Sequence, residues 1–146
     1  MARRAGRLAL YFCLSCLASL PAPAFAQEDP PIDCNNAMTQ ADMNSCSAMD
    51  LDAADAELNA VYKEAIKSQQ ELDKGNGEID PNYVGAVAAL KKAQRAWIDY
   101  RDGHCDGVGY QVAGGSMTPQ VINGCQTELT QHRTKELQEL IRGMGN

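Results

Sequence analysis

The chain has 146 residues, 45% of them hydrophobic and 22% charged, with six cysteines, one tryptophan and a formal net charge of −6. That length suits one domain, and the hydrophobic share excludes wholesale disorder. Residues 1–26 hold three of the thirteen basic residues and none of the nineteen acids, so residues 27–146 carry a net −9. A surface of that sign argues against nucleic acid and anionic lipid as electrostatic partners and favours cationic ones.

The chain opens with the pattern of an export signal. Arg3, Arg4 and Arg7 form a basic n-region, and Leu8 to Leu20 is an apolar run of 13 residues. Pro21 breaks it, and Ala24-Phe25-Ala26 supplies small residues at −3 and −1, which places cleavage after Ala26. Thirteen residues fall short of the ~20 that a bilayer span needs. An acylated Cys16 is the weaker alternative, because Cys13 stands where a lipoprotein signal usually has Leu. No later run reaches membrane length, so the expectation is a protein without stable membrane insertion, periplasmic or secreted after processing.

Cys34, Cys46, Cys105 and Cys125 remain in the processed chain. An even number in a small exported domain reads as two disulfides. Their spacings contain no C-x2-C knuckle, which disfavours zinc even with His104 beside Cys105. Cys34–Cys46 and Cys105–Cys125 each close a local loop and are favoured on that ground, with Cys46–Cys105 left possible.

After a polar leader over residues 27–33, the pattern becomes helical. Thr39-Gln40-Ala41-Asp42 is a weak capping box. Leu51, Ala54, Leu58, Val61, Ala65 and Leu72 follow mostly at three- and four-residue steps, the period of an amphipathic helix. The run Asp73-Lys74-Gly75-Asn76-Gly77 predicts a turn, and Asp80-Pro81 predicts the start of a second helix. That helix carries Val84, Val87, Leu90, Gln94, Trp97 and Arg101 on one stripe and is expected to end near Asp102-Gly103. Five glycines between Gly103 and Pro119 predict a long irregular loop. Thr118-Pro119 opens a third helix, which Gly143 closes, with His132 on its apolar stripe as a packed core residue. The fold class is therefore all-α, a disulfide-stapled three-helix bundle over residues 34–142 with a glycine-rich loop between helices two and three.

No catalytic constellation is present. The chain has no G-x-S-x-G, H-E-x-x-H, Walker A or dinucleotide fingerprint, and Asp50, Asp52 and Asp55 lack the glycine and terminal glutamate of a calcium loop. The expectation is a protein without catalysis, cofactor or metal.

Several motifs occur together in order: Cys34; Thr39-Gln40-x-x-Met43-Asn44-x-Cys46; Ala54-Asp55-x-x-Leu58-Asn59-x-x-Tyr62; Ala93-Gln94-Arg95-Ala96-Trp97-Ile98-x-Tyr100-Arg101-Asp102-x-x-Cys105; Gly114-Gly115-Ser116; Cys125; and Thr130-x-x-Arg133 with Leu137. In these the chain resembles the LprI-type lysozyme-inhibitor family over about residues 34–141. Some of that group are lipoproteins, a pattern from which this signal departs. The resemblance implies an exported protein that binds a lysozyme, a cationic one given the −9 charge, and occludes its glycan cleft. The alternative is a periplasmic interaction or envelope-stress module that binds another protein or a cell-wall fragment.

The motif residues also read structurally. Trp97 is expected at the centre of a core with Leu58 and Leu129, while Asp55, Asn59 and Tyr62 share a helix face. Arg95 or Arg101 is expected to pair with Asp55, and Asn59 to fix inter-helix register. Gln94, Tyr100 and Arg133 are taken as structural with them. The expected partner contact lies in the glycine-rich loop at Tyr110, Gly114, Gly115 and Ser116, with the acidic helix faces raising the association rate.

Overall fold

A proline stops the first helix of this chain, a glycine stops the third, and a tertiary cap sets where the second begins. The computed structural model describes residues 32–143. They form three α-helices, α1 Gln40–Ile79, α2 Ala86–Gly109 and α3 Thr118–Arg142, with short 3-10 turns at Cys34–Asn36, Pro81–Tyr83 and Tyr110–Val112. The expected export signal, its cleavage point and residues 27–31 of the leader lie outside the described residues.

Thr39 caps α1 as its sequence suggests: its Oγ1 accepts from the Asp42 backbone N–H at 3.1 Å and donates to Asp42 Oδ2 at 2.7 Å. The turn expected at residues 73–77 does not form, and α1 runs on through Gly75 and Gly77 for 40 residues, about 60 Å. It stops because Pro81 disfavours the helical conformation at Asp80, which is extended at φ −153°. Asp80-Pro81 then starts only the 3-10 turn, with Asp80 Oδ1 accepting from the Asn82 N–H at 2.8 Å.

The reason for the later start of α2 is tertiary. Asp73 projects from α1 to the first turn of α2, where Oδ1 accepts from the N–H groups of Gly85 and Ala86 at 2.8 and 2.7 Å. Its Oδ2 accepts from the Val87 N–H at 3.1 Å. Those donors have no partner inside their own helix, so one carboxylate on α1 caps another helix. A Cβ at Gly77 would lie 3.1 Å from Val84 Cγ2, so this glycine serves close packing of the returning chain against α1.

The long irregular loop expected between α2 and α3 does not form. α2 does not end near Gly103 but continues through Gly103 and Gly107 to Gly109. The connection to α3 is one 3-10 turn and residues 113–117. α3 has the expected bounds, and Gly143 closes it at φ 74°, its N–H shared between the carbonyls of Glu139 and Leu140.

The favoured cysteine pairing is the one observed, Cys34–Cys46 and Cys105–Cys125. Gln40 Nε2 donates to Gln120 Oε1 at 2.9 Å, and Asn123 Nδ2 to Ser47 Oγ at 3.1 Å. α1 and α3 therefore run parallel from a common pole, with α2 antiparallel to both. Both disulfides lie toward that pole. The apolar core lies farther along, where Leu58, Ala65, Leu90 and Leu137 are buried with Val61, Tyr62, Ile66, Trp97 and Ile141 packed against them. Leu137, at 1% exposure, is its most enclosed large side chain. Trp97 is thus a half-buried flank of the core rather than its centre, and Leu129 is half-buried outside that cluster. His132 is not a core residue: its side chain is 74% exposed, with Nδ1 3.3 Å from Glu136 Oε1.

The three backbone N–H donors hold the Asp73 carboxyl below the ordinary carboxylate range, against a smaller opposing effect of desolvation. A carboxyl depressed in the folded state stabilises fully above its unfolded pKa, and that contribution is lost as pH falls through the folded value. Asp73→Ala should therefore lower the Tm at neutral pH. The gap from the parent should narrow as thermal melts are taken to acid pH, below the ordinary carboxylate range.

Candidate functional site

Two constellations draw the motif residues together. The first is a polar tie across all three helices. Arg101, on α2, places Nη1 2.7 Å from Asp55 Oδ1 on α1 and 3.1 Å from Thr130 Oγ1 on α3. Its Nε donates to Asp102 Oδ1 at 2.9 Å, and its guanidinium carbon lies 5.2 Å from the centroid of the Trp97 ring. With 13% exposure the Arg101 side chain is largely out of water, whereas Asp55 stays 38% exposed. Arg101, not Arg95, is therefore the partner of Asp55, and Arg95 is exposed. Gln94 is buried one to two turns away and accepts from Arg133 Nε at 3.1 Å, while Arg133 Nη1 meets Glu136 Oε2 at 2.7 Å.

Tyr62 packs against the core as the helix-face pattern suggests. Asn59 does not fix register between helices, because it is exposed. Tyr100 also lies outside the core: its exposed ring stacks on His104 with centroids 5.4 Å apart. Among the described residues no buried side-chain nitrogen or oxygen lacks a hydrogen-bond partner, and no cluster of three or more His, Cys, Asp or Glu is arranged to hold a metal ion. The polar tie is a satisfied structural network.

The second constellation is the knuckle between α2 and α3. Tyr110, 79% exposed, leaves the end of α2 beside the Cys105–Cys125 bridge. Gly114 turns the chain at φ 82°, a conformation that favours glycine. Gly115 and Ser116 follow on the surface, and the Ser116 carbonyl accepts from Asn44 Nδ2 of α1 at 3.0 Å. Thr118 Oγ1 donates to the Val112 and Gly115 carbonyls at 2.8 and 2.9 Å. The knuckle is thus held by a covalent bridge, a contact to α1 and a side-chain clamp on its own backbone.

Sequence reasoning missed the pocket behind it. A cavity of about 320 Å3 opens between Asp106, Tyr110, Ala113 and Ile122, with Gly109 in its lining. Gly109 is buried, and a Cβ there would lie 2.5 Å from Ile122 Cγ1 and 2.7 Å from Cδ1. α2 and α3 therefore meet backbone against side chain at this point. The available signal was Ile122, one turn before Cys125 on the same helix.

A family described as lysozyme inhibitor LprI matches residues 33–137. An uncharacterized protein of Rhizobium meliloti (strain 1021) is 50% identical over 133 residues, covering 91% of this chain and 95% of that protein. Uncharacterized protein YecT of Escherichia coli (strain K12) is 34% identical over 64 residues, 44% of this chain and 38% of its own length. No solved structure matches the chain.

Two stability measurements check this geometry. Arg101→Met keeps an apolar stem but removes the polar contacts to α1 and α3, and should cost about 2–3 kcal/mol in denaturant unfolding. A double-mutant cycle with Asp55→Ala should show coupling. Gly109→Ala should cost about 1–3 kcal/mol by overpacking, and combining it with Ile122→Ala should cost less than the two changes summed.

Proposed function

The chain belongs to the lysozyme inhibitor LprI family, and from that premise we propose that it binds a lysozyme and obstructs its glycan cleft with the α2–α3 knuckle. The family description is that of an inhibitor rather than a catalyst, and it implies a protein partner. Two disulfides fit the same reading, since they persist in extracytoplasmic compartments. Among the described residues no helix is long and apolar enough to cross a membrane.

The observation that carries the proposal is the exposed Tyr110 on the short connection flanked by the Cys105–Cys125 bridge. An aromatic ring held on a preorganised backbone loses little entropy on docking, and tyrosine is a frequent hot-spot residue. The connection is too short to thread a cleft as a long loop would. Obstruction therefore falls to the end of the bundle itself, where Gly114 and Gly115 let a partner approach the backbone. A lysozyme cleft works through two carboxylates. The exposed Ser116 offers such a group a hydroxyl donor without adding negative charge. The exposed acids of α1, Asp50 and Asp52 among them, lie toward the same end and draw in a cationic enzyme from solution.

The test is a cell-wall lysis assay with the processed protein and several lysozyme classes at low and high salt. Tyr110→Ala should weaken inhibition by about tenfold or more, about 1.4 kcal/mol, and Ser116→Ala by less, both at unchanged Tm. Asp50→Asn and Asp52→Asn should mainly flatten the salt dependence. Parent-like inhibition by both knuckle variants moves the contact to a helix face, and failure of the parent against every class overturns the proposal.

A further inference from the structure

Among the described residues the net negative charge is confined to one half. Residues 32–59 and 95–130, which build the disulfide-bearing half, carry ten acidic and two basic residues. Residues 60–94 and 131–143, which build the other half, carry seven acidic and eight basic residues. The knuckle pocket opens in the acidic half. Ile122 and Ala113 make its lining apolar, the Tyr110 ring stands beside it, and Asp106 contributes an exposed carboxylate. Asp106 makes no ion pair among the described residues.

An apolar slot bounded by an aromatic ring and a carboxylate suits one kind of protein side chain above others. A guanidinium is planar, weakly hydrated and always charged; it stacks on an aromatic face while its N–H fork pairs with a carboxylate. Its three-methylene stem would lie along Ile122 and Ala113. A carboxylate or phosphate would meet repulsion at Asp106 and across the whole acidic half. A neutral apolar group would leave Asp106 beside it without a partner and partly desolvated.

We propose that this pocket is a recognition site for an arginine side chain presented by a basic partner protein, with Asp106 as the charge partner and Tyr110 as the stacking platform. The inference deepens the inhibitor reading and rests on it for the partner's identity, but the pocket itself is testable apart from any lysozyme. It also gives the two halves of the molecule different tasks. The acidic half approaches and engages the partner, and the near-neutral half holds most of the apolar core.

The first arm of the test is an NMR titration of the 15N-labelled protein with N-acetyl-L-arginine amide. Saturable shifts should concentrate on the amides of Gly109, Tyr110, Gly114 and Ile122. Asp106→Asn and Tyr110→Ala should each weaken binding by about fivefold or more, and N-acetyl-L-lysine amide should bind more weakly than the arginine compound. Shifts scattered over Asp50, Asp52 and other surface acids, or binding unchanged by both substitutions, overturn the site. So does tighter binding of the lysine compound. The second arm compares parent and Asp106→Asn against a basic lysozyme in the lysis assay. Pocket-centred shifts without inhibition of any lysozyme leave the arginine site standing and remove the inhibitor reading. Inhibition that Asp106→Asn leaves intact, with no pocket shifts, does the reverse.

Discussion

The guanidinium of Arg101 ties all three helices together by hydrogen bonds. It meets Asp55 on α1 and Thr130 on α3 while it is anchored on α2 through Asp102. Apolar stripes leave the axial register of packed helices loosely specified, since one turn resembles the next. A charge-assisted hydrogen bond does not, because it weakens steeply when its partners are displaced. Taking Arg101 out of water without Asp55 and Thr130 would leave its donors unpaired. The tie therefore selects one alignment of the bundle, and it sits where the molecule changes character.

On one side of Arg101 lies the apolar core around Leu58, Ala65, Leu90 and Leu137. On the other, the helices meet through polar side-chain pairs, such as Gln40 with Gln120 and Ser47 with Asn123. The two disulfides add a covalent constraint to the packing of this half. Loops of 12 and 20 residues are closed this way, each worth about 3 kcal/mol in chain-entropy terms. A region stapled by two disulfides can keep its surface acidic and its end exposed, which suits a docking surface.

The glycines show why the helix limits came out differently from their sequence pattern. Gly75 and Gly77 look like a helix terminator, yet α1 passes through both, and Gly77 lets Val84 approach closely. Gly103 and Gly107 look like the start of a loop, yet α2 continues to Gly109, where the missing side chain makes room for Ile122. A glycine in a helix costs roughly 1 kcal/mol relative to alanine, an amount that one tertiary contact or a nearby disulfide offsets. Local propensity is a weak rule where another chain segment packs against the same turn. Pro81 ends α1 where Gly75 and Gly77 do not, because the steric clash it imposes on Asp80 needs no tertiary partner.

The sequence by itself determined the class of the fold, the limits of α3 and the capped start of α1, and it favoured the observed cysteine pairing without excluding Cys46–Cys105. Each follows from periodicity, capping chemistry or loop closure, which act over a few turns of chain. Family membership was legible too, because its motifs are short and ordered. Only the tertiary structure decided that α1 runs to Ile79, that Asp73 caps α2 across the turn, and that the supposed loop is largely helix. It alone brought Asp106, Tyr110 and Ile122 around one pocket and placed His132 and Tyr100 on the surface. These outcomes depend on contacts between residues that are neighbours in space: Asp73 with the amides of 85–87, Gly77 with Val84, and Gly109 with Ile122. A pattern read along one helix does not contain the position of the next.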